Sequence, residues 1–165
     1  MAWATVLAIV TLLVPASGPV AAGSASAPRP AGQAADEEAG VDPALLLVLD
    51  VSGSMSDSDG TGTPKIDGAK RSITGLLGTL ESTIRIGLNT FPGGSDCDDG
   101  TSPFAIDAAN RTDMDRYVRG VEVADGGTPM AAALQKAGQD LERAGEPRAV
   151  VVLVSDGENT CDGDP

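Results

Sequence analysis

The chain contains no histidine. That absence excludes Ser-His-Asp and Cys-His catalysis, histidine-ligated zinc and imidazole acid–base chemistry. Aromatic residues make up only 2%, so a core has to be built from Val, Leu, Ile and Ala. Basic residues are scarce. Eleven Lys and Arg stand against 24 Asp and Glu, a formal net charge of −13. Polyanions are held by Lys and Arg, so this balance argues against a nucleic-acid binder and suits a protein that takes cations. The two cysteines form no C-x-x-C pair, which argues against a zinc or dithiol redox centre. Neither a G-x-S-x-G nucleophile elbow nor a G-x-x-x-x-G-K-[ST] phosphate loop is present. No apolar run approaches the roughly 20 residues that cross a bilayer comfortably.

What is present suits one domain. The 165 residues are too few for two ordinary domains, and 41% of them are hydrophobic, enough for one core. No charged side chain precedes Arg29. Ala4 to Val14 is a short apolar run, followed by Pro15 and small residues through Ala27. This pattern reads as a secretory signal peptide over residues 1–27, cleaved between Ala22 and Ala27. No Lys or Arg precedes the apolar run, so an upstream start or an uncleaved apolar anchor are the alternatives. No cysteine lies nearby to carry a lipid. Residues 28–42, rich in Ala, Gly, Pro and acid, read as a flexible leader, with the globular part beginning at about residue 43.

The rest alternates between strand and helix patterns. Ala44 to Val51 is a continuous apolar run, as expected of a strand buried on both faces of a parallel sheet. Pro64 to Leu80 carries Ile66, Ala69, Ile73, Leu76, Leu77 and Leu80 at helical spacing. Thr83 to Phe91 reads as a second strand, stopped by Pro92-Gly93-Gly94, and Ser102 to Ile106 as a short third. Thr112 to Val121 reads as a helix with Met114, Tyr117, Val118 and Val121 on one side, and Pro129 to Ala144 as another with Met130, Ala133, Leu134, Ala137 and Leu141 as its buried stripe. Ala149 to Val154 is expected to be another fully buried strand. The pattern predicts a three-layer α/β/α domain with a mainly parallel central sheet. Because the chain stops soon after so apolar a strand, the expectation is of an incomplete domain lacking further βα units.

Ligands of such sheets bind beyond the carboxyl ends of the strands, where the strand order reverses. Both apolar runs end in acid there, at Asp50 and Asp156. In Asp50-Val51-Ser52-Gly53-Ser54, alternate residues can turn one carboxylate and two hydroxyls to the same side. Hard divalent cations take oxygen ligands of this kind, and Mg²⁺ is usually held by only one or two carboxylates. Asp156 can supply the second carboxylate, and Thr128 in Gly126-Gly127-Thr128-Pro129 a third hydroxyl.

Together, D-V-S-G-S at residues 50–54, G-G-T-P-M at 126–130 and S-D-G at 155–157 resemble the metal-ion-dependent adhesion site of von Willebrand factor type A domains. The alternation of elements from Ala44 to Gly157 is similar to the first two thirds of that Rossmann-like fold. The resemblance implies that Ser52, Ser54 and Thr128 offer hydroxyl oxygens to Mg²⁺, Mn²⁺ or Ca²⁺. Asp50 and Asp156 would act directly or through waters they orient. It also implies that the cation keeps an open position for a carboxylate from a partner protein. The plainer readings are that Ser52, Gly53 and Ser54 are turn residues, that Asp50 and Thr128 are caps, and that Asp156-Gly157 is a turn.

Two other acidic loops carry less. Counted from Asp57, a twelve-residue calcium loop has Thr61 at position five and Gly68 where a bidentate Glu belongs, so the pattern fails. Asp96, Asp98 and Asp99 suit a solvated loop or a weak calcium site. Cys97 and Cys161 follow strands whose ends share one face of the sheet. A disulfide between them would close a loop of about 65 residues, contributing up to ~4 kcal/mol in the chain-entropy picture. Two free thiols, or pairing with a cysteine beyond residue 165, are the alternatives.

The function expected from this reading is a secreted or cell-surface, metal-dependent protein-binding module without catalytic activity. A subunit of a larger ATPase or membrane assembly is the first alternative. A Mg²⁺-dependent hydrolase is the second, weakened because the strand-end Asp50 has Ser52, not a second Asp, two residues on.

Overall fold

Leu and Val at every interior position of Ala44–Asp50 leave this segment no polar face to show to water, and the chain places it at the centre of a sheet. The computed structural model describes residues 44–94, 97–146, 148–157 and 159–161. The expected signal peptide and leader lie outside the described residues. Among the described residues no helix is long and apolar enough to cross a membrane.

Strand β1 (Ala44–Asp50) is buried along its whole length. It pairs in parallel with β2 (Arg85–Phe91), from Ala44 opposite Arg85 to Asp50 opposite Phe91. On its other side it pairs in parallel with β4 (Ala149–Val154), from Ala44 opposite Ala149 to Leu49 opposite Val154. Strand β3 (Thr101–Asp107) runs antiparallel along the outer edge of β2 with two register shifts. The order is β3-β2-β1-β4, which is the mainly parallel sheet expected.

The strand period of two divides β1 between two cores. Leu45, Leu47 and Leu49 pack toward α1 (Lys65–Thr79) and α2 (Arg111–Gly120). Leu46 and Val48 pack with Phe91 against Ala133 and Ala137 of α3 (Met130–Ala144). Helix α1 buries Ile66, Ala69, Ile73 and Leu77, one stripe of a 3.6-residue period. Each fully buried Leu or Ile contributes about 1.5–3 kcal/mol. On α3 the buried residues are small, Ala131, Ala133 and Ala137, with Leu134 and Leu141 only partly covered. The helix ends at Gly145, whose φ of 69° is the left-handed cap glycine adopts without strain.

Three details depart from the pattern-based expectation. Strand β2 begins at Arg85, not Thr83, because the preceding residues form a turn in which Ile84 N–H donates to Glu81 O at 3.2 Å. The Arg111 guanidinium braces this turn by donating to the carbonyls of Leu77, Leu80, Glu81 and Ile84, the first of them an acceptor that the end of α1 leaves open. Strand β4 is not buried on both faces. All but one of its residues are partly covered, and Val150 is 47% exposed, because its pairing among the described residues is with β1 alone. Tyr117, expected on the buried side of α2, is 38% exposed, though its ring meets Phe104 edge-on at 5.5 Å.

Two polar networks cross the layers. Arg85 at the start of β2 makes a bidentate ion pair with Glu146 beyond α3. Asn89 of β2 and Ser102 of β3 both donate to Asp140 of α3, at 2.9 and 2.7 Å.

The sheet order positions the site. From β1 the chain moves outward to β2 and β3, then crosses back to β4 on the far side of β1. The reversal therefore lies between β1 and β4, and the loops leaving those two strands face each other there.

Candidate metal centre

Asp50 closes β1 and is completely buried. Its Oδ1 accepts the Ser52 backbone N–H at 2.8 Å, and its Oδ2 accepts the Ser155 hydroxyl at 2.6 Å. The first bond turns the chain sharply after the strand. Gly53–Ser56 then form one turn of 3₁₀ helix, and the Ser52 and Ser54 hydroxyls come to lie 3.2 Å apart. Burial pushes the Asp50 carboxyl above its ordinary range. The hydrogen bonds from Ser155 and Ser52 act against that rise, and the Asp156 charge adds to it.

The second loop arrives from the other side. Gly53 N–H donates to Gly126 O at 3.3 Å, joining the two loops. Thr128, 3% exposed, donates its hydroxyl to Ser52 Oγ at 3.2 Å. The capping reading of Thr128 is therefore corrected. Its hydroxyl is directed to Ser52, and the residue at the cap position is Pro129, which makes no side-chain capping bond.

Asp156, two residues beyond β4, accepts the Ser54 hydroxyl on Oδ1 at 3.0 Å. Its Oδ2 forms an ion pair with Lys65 at the first position of α1. A lysine there opposes the helix dipole. Its placement follows from Asp156, with Ser54 O at 3.5 Å and Asp57 at 3.9 Å as lesser partners.

The oxygens of Asp156, Ser54, Ser52 and Thr128 thus form one continuous arc with steps of 3.0, 3.2 and 3.2 Å. Asp50 is tied into it through Ser52 and Ser155. All five residues singled out by motif are brought together. The donor set fits a divalent cation. Adjacent oxygens around an octahedral Mg²⁺ with bonds of about 2.1 Å lie about 3.0 Å apart, close to the spacings of the arc. A buried carboxylate raised by desolvation is also a group that a nearby positive charge would relieve.

The other acidic loops are engaged locally. Asp59 Oδ1 accepts both the N–H and the hydroxyl of Thr61, at 2.8 and 2.6 Å, which hold this exposed carboxyl below its ordinary range. Asp98 Oδ1 accepts Gly100 N–H at 2.8 Å, and Asp96 lies outside the described residues. Among the described residues no three acidic or thiol groups converge. An open groove of about 660 Å³ lies between α2 and the ends of β2 and β3. It shares Val51 with the first loop but includes none of the five oxygen-bearing residues.

Cys97 and Cys161, 64 positions apart in sequence, form a disulfide with an S–S distance of 2.05 Å. Motif reading missed Ser155, Lys65, Asn159 and Thr160. Ser155 had a weak signal, standing beside Asp156 in S-D-G. The others act through contacts that no spacing in the sequence announces.

The family described as von Willebrand factor type A domain matches residues 45–158 of the chain. No curated protein resembles the chain closely enough to count as a match. Among solved structures, an aerotolerance-related membrane protein of Bacteroides fragilis superposes with a TM-score of 0.59 at 24% identity, covering 73% of this chain and 57% of that one. The domain of the type V pili tip protein Mfa5 of Porphyromonas gingivalis gives 0.57 at 17% identity, covering 72% of this chain and 38% of that one. The pilus adhesin SpaC of Lactobacillus rhamnosus GG gives 0.59 at 23% identity, covering 73% of this chain and 16% of that one. These identities establish likeness of fold. The chain spans less than two thirds of the length of each of these proteins.

Proposed function

The chain belongs to the von Willebrand factor type A domain family, and from that premise we propose that it is a protein-binding module that works through one divalent cation. Asp50, Ser52, Ser54, Thr128 and Asp156 would hold Mg²⁺, with Mn²⁺ or Ca²⁺ as substitutes. The observation that carries the reading is the arc of four oxygens at 3.0–3.2 Å set against the buried Asp50.

When bound, the cation supplies a Lewis-acidic position to which an acidic side chain of a partner protein can attach. The chain's own residues set the conditions for that attachment. Ser52, Ser54 and Thr128 offer neutral oxygens, so of the five candidate ligands Asp50 and Asp156 alone bring negative charge. Lys65 already offsets one of them. The site therefore retains net positive charge once loaded, which favours an anionic ligand. Asp50 holds the first loop through Ser52 N–H and Ser155, fixing the direction of the serine hydroxyls.

A binding module is preferred to an enzyme because the one acceptor beside a hydroxyl, the Asp156 carboxylate on Ser54, is held in an ion pair with Lys65 and is a weak base for a serine. The histidine that usually activates a serine nucleophile is absent from the sequence. The pilus tip protein and pilus adhesin among the structural neighbours support an adhesive role at the cell surface or outside the cell. The apolar segment Ala4–Val14 supports export.

The test is a Mn²⁺ titration followed by electron paramagnetic resonance. One site per chain is expected, lost in Ser54→Ala and Asp156→Ala. Acetate added to the loaded protein should displace metal-bound water and lower the water-proton relaxation rate. Unchanged relaxation at saturating acetate would remove the carboxylate-docking role, and absence of Mn²⁺ uptake would remove the whole reading.

A further inference from the structure

A reciprocal pair of hydrogen bonds joins Thr128 to the segment that follows β4. Thr128 N–H donates to Thr160 Oγ1 at 2.7 Å, and Thr160 N–H donates to Thr128 O at 3.1 Å. Beside them, Met130 N–H donates to Asn159 Oδ1 at 3.0 Å. The Asn159 amide in turn donates to Cys161 O at 2.6 Å. Cys161 is bonded to Cys97, beyond β2 on the same edge of the sheet.

We propose that Thr160 and Asn159 are positioning residues for Thr128, and that the Cys97–Cys161 disulfide holds them in place, so that cation uptake depends on the oxidised disulfide. The inference rests on the cation reading of the centre.

The physical argument begins at α3. The first N–H groups of a helix have no partner within it. Pro129 at the cap position makes no side-chain capping bond. Asn159 fills that role from a distant part of the sequence by accepting Met130 N–H. Two residues before the helix, Thr160 holds the chain by accepting Thr128 N–H. These bonds fix the backbone from which the Thr128 side chain projects, and with it the direction of a hydroxyl that must lie within reach of Ser52. Residues 155–157 and 159–161 belong to no helix or strand, so regular secondary structure does not restrain them. The disulfide provides a covalent restraint at their far end. Cys97 is exposed, so a reductant can reach the bond. A small-molecule dithiol would deliver two electrons and two protons, leaving Cys97 and Cys161 as thiols and itself closing to a disulfide.

Partners that orient metal ligands typically matter by about 10–100-fold in affinity. The test is calorimetric titration of the full chain with Mg²⁺. Thr160→Val, which keeps the shape but removes the acceptor, should weaken binding by about tenfold or more, whereas Thr160→Ser should hold it within about twofold of wild type. Dithiol treatment of the wild type should weaken binding comparably, and the same treatment of Thr160→Val should cost less than it costs the wild type, since the Thr160 contact with Thr128 is already lost there. Wild-type affinity in Thr160→Val, or equal loss in Thr160→Val and Thr160→Ser, overturns the positioning role. A reduction penalty of the same fold in Thr160→Val as in the wild type overturns the link to the disulfide. If the untreated wild type takes up no Mg²⁺, the cation reading fails and this inference fails with it. Uptake by the wild type with indifferent variants defeats the inference alone.

Discussion

Asp50→Asn is expected to raise the stability of the metal-free protein while abolishing cation uptake. Asp50 is 0% exposed and its carboxylate has two hydrogen-bond donors, Ser52 N–H and the Ser155 hydroxyl. Burial raises its pKa more than those bonds lower it. A folded value above the unfolded one of about 4 means stability that is fully present below the unfolded value and lost as pH rises through the folded one. Above that folded value the metal-free wild type therefore carries a buried anion at a cost. Asparagine keeps both contacts, because its amide oxygen accepts Ser52 N–H and its NH₂ donates to a rotated Ser155 hydroxyl. Losing charge assistance weakens the two bonds by about 2 kcal/mol together. Relief of the buried ion returns several kcal/mol. The expected balance is a gain of about 1–2 kcal/mol at neutral pH, or a melting temperature about 4–8 °C higher for a domain of this size. The assay is differential scanning calorimetry with EDTA, stepped from about pH 4 to about pH 8. The advantage of the variant should grow with pH and vanish at the acid end, and only the wild type should be stabilised by added Mg²⁺. A variant that melts below the wild type at neutral pH without metal, or that responds equally to Mg²⁺, would refute the reasoning.

Asp140 is expected to behave in the opposite sense. Burial alone would raise its carboxyl, but the Ser102 and Asn89 hydrogen bonds and the Lys136 and Arg143 charges outweigh that and hold it below the ordinary range. Its contribution is therefore present above about pH 4 and lost as pH falls through the folded value. Asp140→Asn should cost about 1 kcal/mol at neutral pH and reduce the acid sensitivity of urea unfolding. Leu47→Ala, at a fully buried position of β1, should cost about 2–5 kcal/mol in urea midpoint analysis. Gly100→Ala should cost about 1–3 kcal/mol in thermal unfolding, because Gly100 has a φ of 97° and an added Cβ would fall on Thr90 O.

The strands and helices were legible because their side chains answer to simple periods. Ile66, Ala69, Ile73 and Leu77 sit on one helical stripe, and the unbroken apolar run of β1 could only be a central strand. The same rule overreached at β4, since a Val-rich run shows what a strand can bury and not which neighbours cover it. That Asp50, Ser52, Ser54, Thr128 and Asp156 come together was legible because three short motifs fall at the ends of the right elements. Lys65, Asn159 and Thr160 were not legible. Their roles arise from contacts between residues 91, 29 and 32 positions apart in sequence, and polar residues at such distances carry no pattern before the fold brings them together.

The central claim is that hydroxyls of Ser52, Ser54 and Thr128, with two carboxylates, gather around one cation. Isothermal titration of the intact chain with Mg²⁺ tests it most directly. The account predicts saturable uptake of a single ion per chain, weakened by about tenfold or more in Ser52→Ala. Titration heats no larger than dilution in the wild type, or uptake that Ser52→Ala leaves unaltered, would contradict it.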